Sequence, residues 1–332
     1  MPDNNTPVTQ DSLIEKAKIY QQELDKQIVA EAATGWMEGN LADVKYDGGD
    51  EVKIPYMDMD GLGDYDRAEG YPEGAVTLAY QTMRMTQDRG TSFNIDAMSA
   101  DESGIDNLMG KVMSEFQRTK VIPEIDAYRL SKLYQLAAGA NRVSSYTPAE
   151  ATILKKLRDD IVAVQEITGE GMPLVVHISM AVAAILDNSE KLSRQLNVLD
   201  FARGEISLKV KGLDDIPLLR TPSSRMKTAY VFYTGRPDGN GDKTFGFAPQ
   251  EAVTETDEQT EETTVVTPAA KQINWLIMAR TTPKAVSKTD TIRLFDPMTW
   301  QKANAWHADY RKFHDLWVPR NQLETLRASV GA

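Results

Sequence analysis

Residues 105–140, IDNLMGKVMSEFQRTKVIPEIDAYRLSKLYQLAAGA, set the frame for the whole chain. Ile105, Leu108, Met109, Val112, Met113 and Phe116 recur at helical spacing without a miss, so one face of a helix is apolar. The pattern resumes at Ile122, Ile125, Tyr128 and Leu133 and runs to about Ala140. Pro123 lies inside it. A proline in a helix interior removes a donor and crowds the carbonyl four residues back, so a kink or a break into two helices is expected there.

On the N-terminal side the pattern is extended. Residues 52–57, VKIPYM, read as a strand, and Pro55 implies an edge or a bulge. Val76, Leu78 and Tyr80 alternate, and the phase then slips at Met83 and Met85. That slip predicts either a bulge or a strand that changes which partner it covers. A further strand covers residues 92–96. Between the arms, residues 58–74 are rich in Gly, Asp and Tyr, which makes a long hairpin with little apolar material to fold upon. Earlier still, residues 12–28 form an amphipathic pattern: Ser12 and Glu15 make a capping box, and Leu13, Ala17, Tyr20, Leu24 and Ile28 share a face.

On the C-terminal side a compact α/β portion is expected from Thr147. Thr147, Pro148 and Glu150 have the pattern of a helix start, followed by Ile153, Leu157, Ile161 and Val164 on the buried face. Residues 174–178 read as a buried strand and residues 180–186 as a helix. Alternation at Ile206, Leu208 and Val210 ends in a turn at residues 211–214. Residues 236–270 shift in composition, with six acids and no base between Glu251 and Thr264, and read as a solvated surface insertion. Residues 273–278 begin the last lobe. In residues 306–318, Trp306, Tyr310, Phe313 and Trp317 fall at helical spacing, while the aromatic content suits a strand.

At 332 residues with 41% hydrophobic content, the chain can bury a sizeable core. It contains no cysteine, which removes disulfides and thiolate chemistry and fits folding in a reducing cytoplasm. No signal peptide is visible at the N-terminus, and the longest apolar run, residues 172–186, is too short to cross a bilayer. Net charge is −12 without a cluster of Lys and Arg, against the basic stripe that phosphate binding needs.

Catalytic motifs do not assemble. The three histidines, His177, His307 and His314, make no metal-binding spacing, and His177 sits in an apolar strand as a core histidine. Gly110-Lys111 lacks the upstream glycine of a phosphate loop. Asp58, Asp60, Gly63 and Glu69 mimic an EF-hand loop, but Leu62 spoils a ligand position and the flanks are strands, so a solvated hairpin tip is the expected state. Asp238, Asn240 and Asp242 resemble that loop more weakly. No catalytic, cofactor-binding or metal-binding residue is assigned.

The ordered set of strings resembles the major capsid proteins of tailed bacteriophages with the Hong Kong 97-type fold. Asp64-Tyr65-Asp66-Arg67 with Gly70 and Tyr71 is similar to the family's loop tip, and residues 85–96 to the returning strand. Residues 121–129, VIPEIDAYR, resemble the spine helix. Residues 206–224, ending in Pro222-Ser223, resemble a strand–turn–strand, and residues 310–315, YRKFHD, the C-terminal strand. The resemblance implies an α+β chain with an N-terminal arm (1–42), an extended E-loop hairpin (43–96), a peripheral domain with the spine helix (97–146) and an α/β axial domain (147–235). The acidic insertion (236–270) and C-terminal strands completing both domains (271–332) follow, and residues 306–318 become a strand. It also implies a virion shell subunit, made in the host bacterial cytoplasm, that is not an enzyme and needs no cofactor. Its partners would be its own copies in hexamers and pentamers, a separate scaffolding protein, a portal and decoration proteins. The shell would enclose double-stranded DNA without sequence-specific binding and without a membrane. A non-viral, encapsulin-like compartment shell of the same fold is the alternative. Some relatives join a lysine on this loop to a neighbour's asparagine; here no lysine occurs between Lys53 and Lys111, so no such bond is expected.

Overall fold

The structure is a computed structural model that describes residues 32–40, 45–46, 51–65, 67, 70–98, 108–189, 196–203, 206–237, 242–256 and 263–332. The amphipathic pattern at residues 12–28 lies outside them. Strands β1 (Lys45–Tyr46), β2 (Glu51–Met59) and β3 (Val76–Arg84) form one sheet, and β4 (Gln87–Asp96) passes into another. Helices α1 (Leu108–Phe116) and α2 (Ile122–Gly139) follow, then β5 (Val143–Ser145), α3 (Ile153–Thr168), β6 (Leu174–Ser179) and α4 (Met180–Asn188). Strands β7 (Leu196–Arg203), β8 (Ile206–Leu213), β9 (Ile216–Thr221), β10 (Tyr230–Phe232), β11 (Phe247–Pro249), β12 (Val253–Thr256) and β13 (Thr263–Thr267) come next. The chain closes with β14 (Ile273–Ala279), β15 (Lys284–Phe295), β16 (Ala305–Trp317) and β17 (Arg327–Val330).

The largest sheet runs β5-β17-β14-β6-β9-β8-β7. Its central strands, LVVHIS and INWLIMA, are buried at every position because both faces are covered. Val176, Ile178, Trp275 and Ile277 meet Ile153, Leu157, Ile161 and Val182 on the α3–α4 side. Val175, Leu276 and Met278 meet Leu130, Leu133 and Ala137 of α2 on the other. Buried Asp160 is held among donors: Trp275 Nε1 at 3.1 Å, Arg327 Nε at 2.8 Å and Ser144 Oγ at 3.1 Å. A buried carboxylate persists only with such partners. Ser179 caps α4, its hydroxyl accepting from Val182 N.

The second body sheet is β15-β16-β4, fully antiparallel, with Met109 and Met113 of α1 packed on Ile292, Ala308 and Tyr310. Between α1 and α2 the helix neither breaks nor continues as a regular α-helix. Gln117–Val121 form a π turn, and Ile122 N bonds to Gln117 O, five residues back. The widened turn accommodates Pro123, which has no N–H to give and needs room near the preceding carbonyls.

Residues 305–317 are a strand, as the resemblance implied. Residues four apart share a strand face and residues three apart do not, so the aromatic series divides. Trp306 and Tyr310 face the α1 cluster, while Phe313 and Trp317 join Val52, Ile54 and Met85 at the hairpin's root. Covering both faces of one strand mimics a helical stripe.

Three expectations are corrected. The helix after Thr147 begins at Ile153, because the Tyr146 hydroxyl accepts from Ala149 N at 3.2 Å and meets the Thr152 hydroxyl at 2.8 Å, holding residues 146–152 outside the helix. The turn expected at 211–214 is the pair Asp214–Asp215, with φ of 50° and 64°, which lets β8 and β9 join tightly. Residues 236–270 are not wholly a solvated insertion. Phe247–Pro249 pair with Tyr230–Phe232, and Phe232, which stacks on Phe247, packs edge-on against Tyr128 of α2. Arg89 clamps this lobe, donating to Tyr233 O and Gly246 O and pairing with Glu124. The aromatics, overlooked beside the acids, supply the apolar surface that ordering requires. Val253–Thr256 and Thr263–Thr267 form a separate antiparallel ribbon.

Candidate assembly interface

β2 and β3 pair from Glu51↔Arg84 to Met59↔Val76 without a register shift, so opposed residues share a face along the whole hairpin. One face carries Val52, Ile54 and Met83. At the root it is buried against Met85, Val286, Phe313 and Trp317 of the body. The other face carries Met57, Met59, Val76, Leu78 and Tyr80, with exposures of 51%, 63%, 65%, 60% and 45%. The phase slip in β3 is therefore a change of covered face and not a bulge. Near the root the chain buries one side; farther out the opposite side is apolar and largely exposed among the described residues. Pro55 lies beyond the two residue pairs of β1 with β2, where a missing donor on the outer edge costs no ladder bond.

The tip is ordered by local bonds. Asp60 N donates to Ala75 O, Ala75 N donates to Asp60 Oδ2 at 2.8 Å, and the rings of Tyr65 and Tyr71 lie 4.9 Å apart. Leu62 and Tyr71 are almost wholly exposed. From residue 58 to 74 the sequence has Asp58, Asp60, Asp64, Asp66, Glu69 and Glu73 against Arg67. Of the EF-hand-like set, Asp60 is spent on Ala75, while Glu69 lies outside the described residues. No group of three or more His, Asp or Glu among the described residues is arranged to hold a metal.

Residues 32–40 form a buried strap across the body. Asp126 of α2, fully buried, accepts from Ala33 N at 3.1 Å, Thr34 N at 3.0 Å and the Thr34 hydroxyl at 2.7 Å, and pairs with Arg225. Arg129 donates to Thr34 O and pairs with Glu38. Burial alone would raise the Glu38 carboxyl; the charges of Arg129 and Lys312 and bonds from Arg129 and Ser287 outweigh it and hold the group below its usual value. Trp36 Nε1 donates to His177 Nε2 at 3.1 Å, which satisfies that core histidine and makes Nε2 its acceptor nitrogen. His307 lies at the far end of β16, stacked on Trp300, and His314 is buried near Tyr128. The three histidines do not converge. Gly110 and Lys111 sit within α1, away from any loop. Sequence reading missed Asp126, Asp160 and Asp315, since isolated acids in an acidic chain carry no sign of burial.

No family model and no curated protein matches the sequence. In three dimensions the chain is similar to the capsid structure of cyanophage P-SCSP1u, at 9% identity and a TM-score of 0.56, covering 87% of this chain and 85% of that one. It is also similar to the asymmetric unit of the bacteriophage PhiM1 mature capsid, at 11% identity and 0.52, covering 86% and 83%. A virus-like particle from Pyrococcus furiosus matches at 9% identity and 0.51, covering 96% and 100%. At these identities the likeness is one of fold. The chain has the α+β fold of tailed-phage capsids, the Hong Kong 97 type. Among the described residues no helix is long and apolar enough to cross a membrane.

Proposed function

We propose that this chain is the major capsid protein of a tailed double-stranded DNA phage, a shell subunit and not an enzyme. The observation that carries this is the exposed apolar face of the hairpin on a fold shared with capsids. Met57, Met59, Val76 and Leu78, in register on one face, are worth covering: fully burying a side chain of this size, against leaving it exposed, stabilises by about 1.5–3 kcal/mol. A symmetric shell of identical copies provides that cover many times over. In this reading the part of residues 43–96 that precedes β4 is the extended loop lying on a neighbour, α1 and α2 the spine of the peripheral domain, and the large sheet the axial domain. Copies gather in hexamers and pentamers, with scaffolding, portal and decoration proteins as further partners, and the virion is its destination after synthesis in the host cytoplasm. With no lysine from residue 54 to residue 110, a stretch that includes the hairpin's tip, the shell holds together by non-covalent contacts.

The second reading is an encapsulin-like compartment, favoured by the full-length match to the Pyrococcus furiosus virus-like particle. Electron microscopy of the expressed, purified chain tests both against a monomeric protein: closed particles are expected, and a chain that stays monomeric at high concentration refutes them. Terminase and portal genes beside the coding sequence mark a phage, and a cargo enzyme gene marks a compartment.

A further inference from the structure

The chain leaves the hairpin sheet at Arg84 and enters the body sheet at Gln87, so the hairpin's direction on this strand is set at Met85 and Thr86. Met85 is sunk in the apolar root. Thr86 is gripped by a single buried carboxylate, Asp315 of β16, whose Oδ2 accepts from Thr86 N at 2.9 Å and from the Thr86 hydroxyl at 3.0 Å. Its other oxygen accepts from the Tyr128 hydroxyl at 2.6 Å, from Leu316 N at 2.7 Å and from Lys132 Nζ. Lys132 also donates to the Tyr128 hydroxyl at 3.0 Å. Burial and the Asp315 charge raise the Tyr128 hydroxyl above its usual value, so it remains a donor.

We infer that Asp315 is a latch that fixes the exit angle of the hairpin, with Tyr128 and Lys132 of α2 as its support. The geometry assigns this role for three reasons. The grip falls on the two-residue junction between sheets, where a small change in backbone torsion swings a hairpin about 30 Å long. It is charge-assisted, and such bonds are roughly twice as strong as neutral ones. It also draws in the spine helix, so the hairpin's angle and the position of α2 are coupled. The apolar root alone would tolerate sliding, since apolar contact is non-directional. The inference rests on the hairpin being the assembly element, and deepens that reading: the latch presets the angle at which each copy reaches its neighbour.

The test exploits the absence of native cysteine. Gly61→Cys at the hairpin tip and Gly171→Cys on the body place spin labels where an added Cβ meets nothing within 4 Å. Pulsed electron resonance on labelled chains diluted in unlabelled protein reads the tip-to-body distance. The parent should give one narrow distribution. Asp315→Leu with Lys132→Met removes both charges together, a replacement buried ion pairs often tolerate. It should remain folded, with an unfolding midpoint lowered by the donors that lose Asp315, and broaden the distribution. Thr86→Val, which deletes only the hydroxyl bonds, should broaden it less, and should leave the Thr86-position amide protected. In the double variant that amide should exchange about tenfold faster or more. An unchanged distribution in a folded double variant overturns the inference and assigns the angle to the apolar root. Particles of the double variant should be less uniform in diameter. If the parent forms no particles, the shell reading fails, and the distance distribution still judges the latch.

Discussion

Two antiparallel pairs in this chain are similarly apolar and have opposite fates. In β6 and β14 every position is buried, because helices cover both faces of the sheet. In the distal halves of β2 and β3, Met57, Met59, Val76 and Leu78 face outward. Both pairs keep clean antiparallel registers over the residues concerned. The difference is therefore not in strand chemistry but in what the chain places over each strand. It teaches that a sheet's apolar face reports a demand for cover, and that the cover can lie on another molecule.

The sharpest break of this contrast is on the core side. Trp275→Ala should cost about 3–5 kcal/mol in chemical unfolding, because it opens a cavity and strips Asp160 of a donor. A loss below 1 kcal/mol, by order of magnitude, would mean the pair is not core.

Acid should have the next effect. Burial and the charges of Arg129, Lys312, Lys132 and Arg89 push His314 well below its usual pKa of 6.5. The folded state then keeps it neutral while the unfolded state takes up a proton, so stability is full above about pH 6.5 and falls as pH drops below it. Glu38, held low, adds a further loss at more acid pH, as its stabilisation disappears on protonation. Unfolding midpoints measured from about pH 7.5 to about 3, which carries the scan below the usual Glu value, should show the decline. His314→Asn should flatten its upper part; an equally steep profile in the variant would exclude His314 as the cause.

On the hairpin side, Val76→Asp with Leu78→Asp should shift stability by no more than about 0.5 kcal/mol, since these residues are mostly exposed among the described residues. Particle formation should nevertheless be lost. A large stability loss would show that the face is covered within the chain, and normal particles would remove it from the interface. The smallest effect is expected at the acidic ribbon: replacing residues 251–264 with a Gly-Ser linker should leave the thermal midpoint nearly unchanged, since Val253 and its exposed neighbours bury little.

Much of the body was legible in the sequence because burial imposes periods. The α1 stripe, the run at β6 and the alternation at β8 all fell where helices or strands formed. Boundaries were less visible: nothing in Thr147, Pro148 and Glu150 announces that Tyr146 will take the N–H of Ala149. The packing of Phe247 on Phe232 was hidden by the acids that follow it. At the interface, the phase slip at Met83 marked the change of covered face directly. The latch was not legible, because Thr86 and Asp315 lie 229 positions apart and meet only once the chain between them has folded.

That separation has a consequence for timing. β4 pairs with β16, and the hairpin's root needs Phe313 and Trp317. During synthesis at about 5–20 residues per second, the hairpin therefore waits roughly 10–50 s for its anchor to emerge. An arm without a root has no fixed direction, so a nascent chain cannot offer its apolar face at the assembly angle. Under the proposed function, the fold thus delays recognition between copies until β16 has emerged. Chains stalled on the ribosome before residue 305 should fail to co-purify with free subunits, whereas chains extended past β16 and clear of the exit tunnel should capture them; capture by the shorter chains would show that the arm acts before it is anchored.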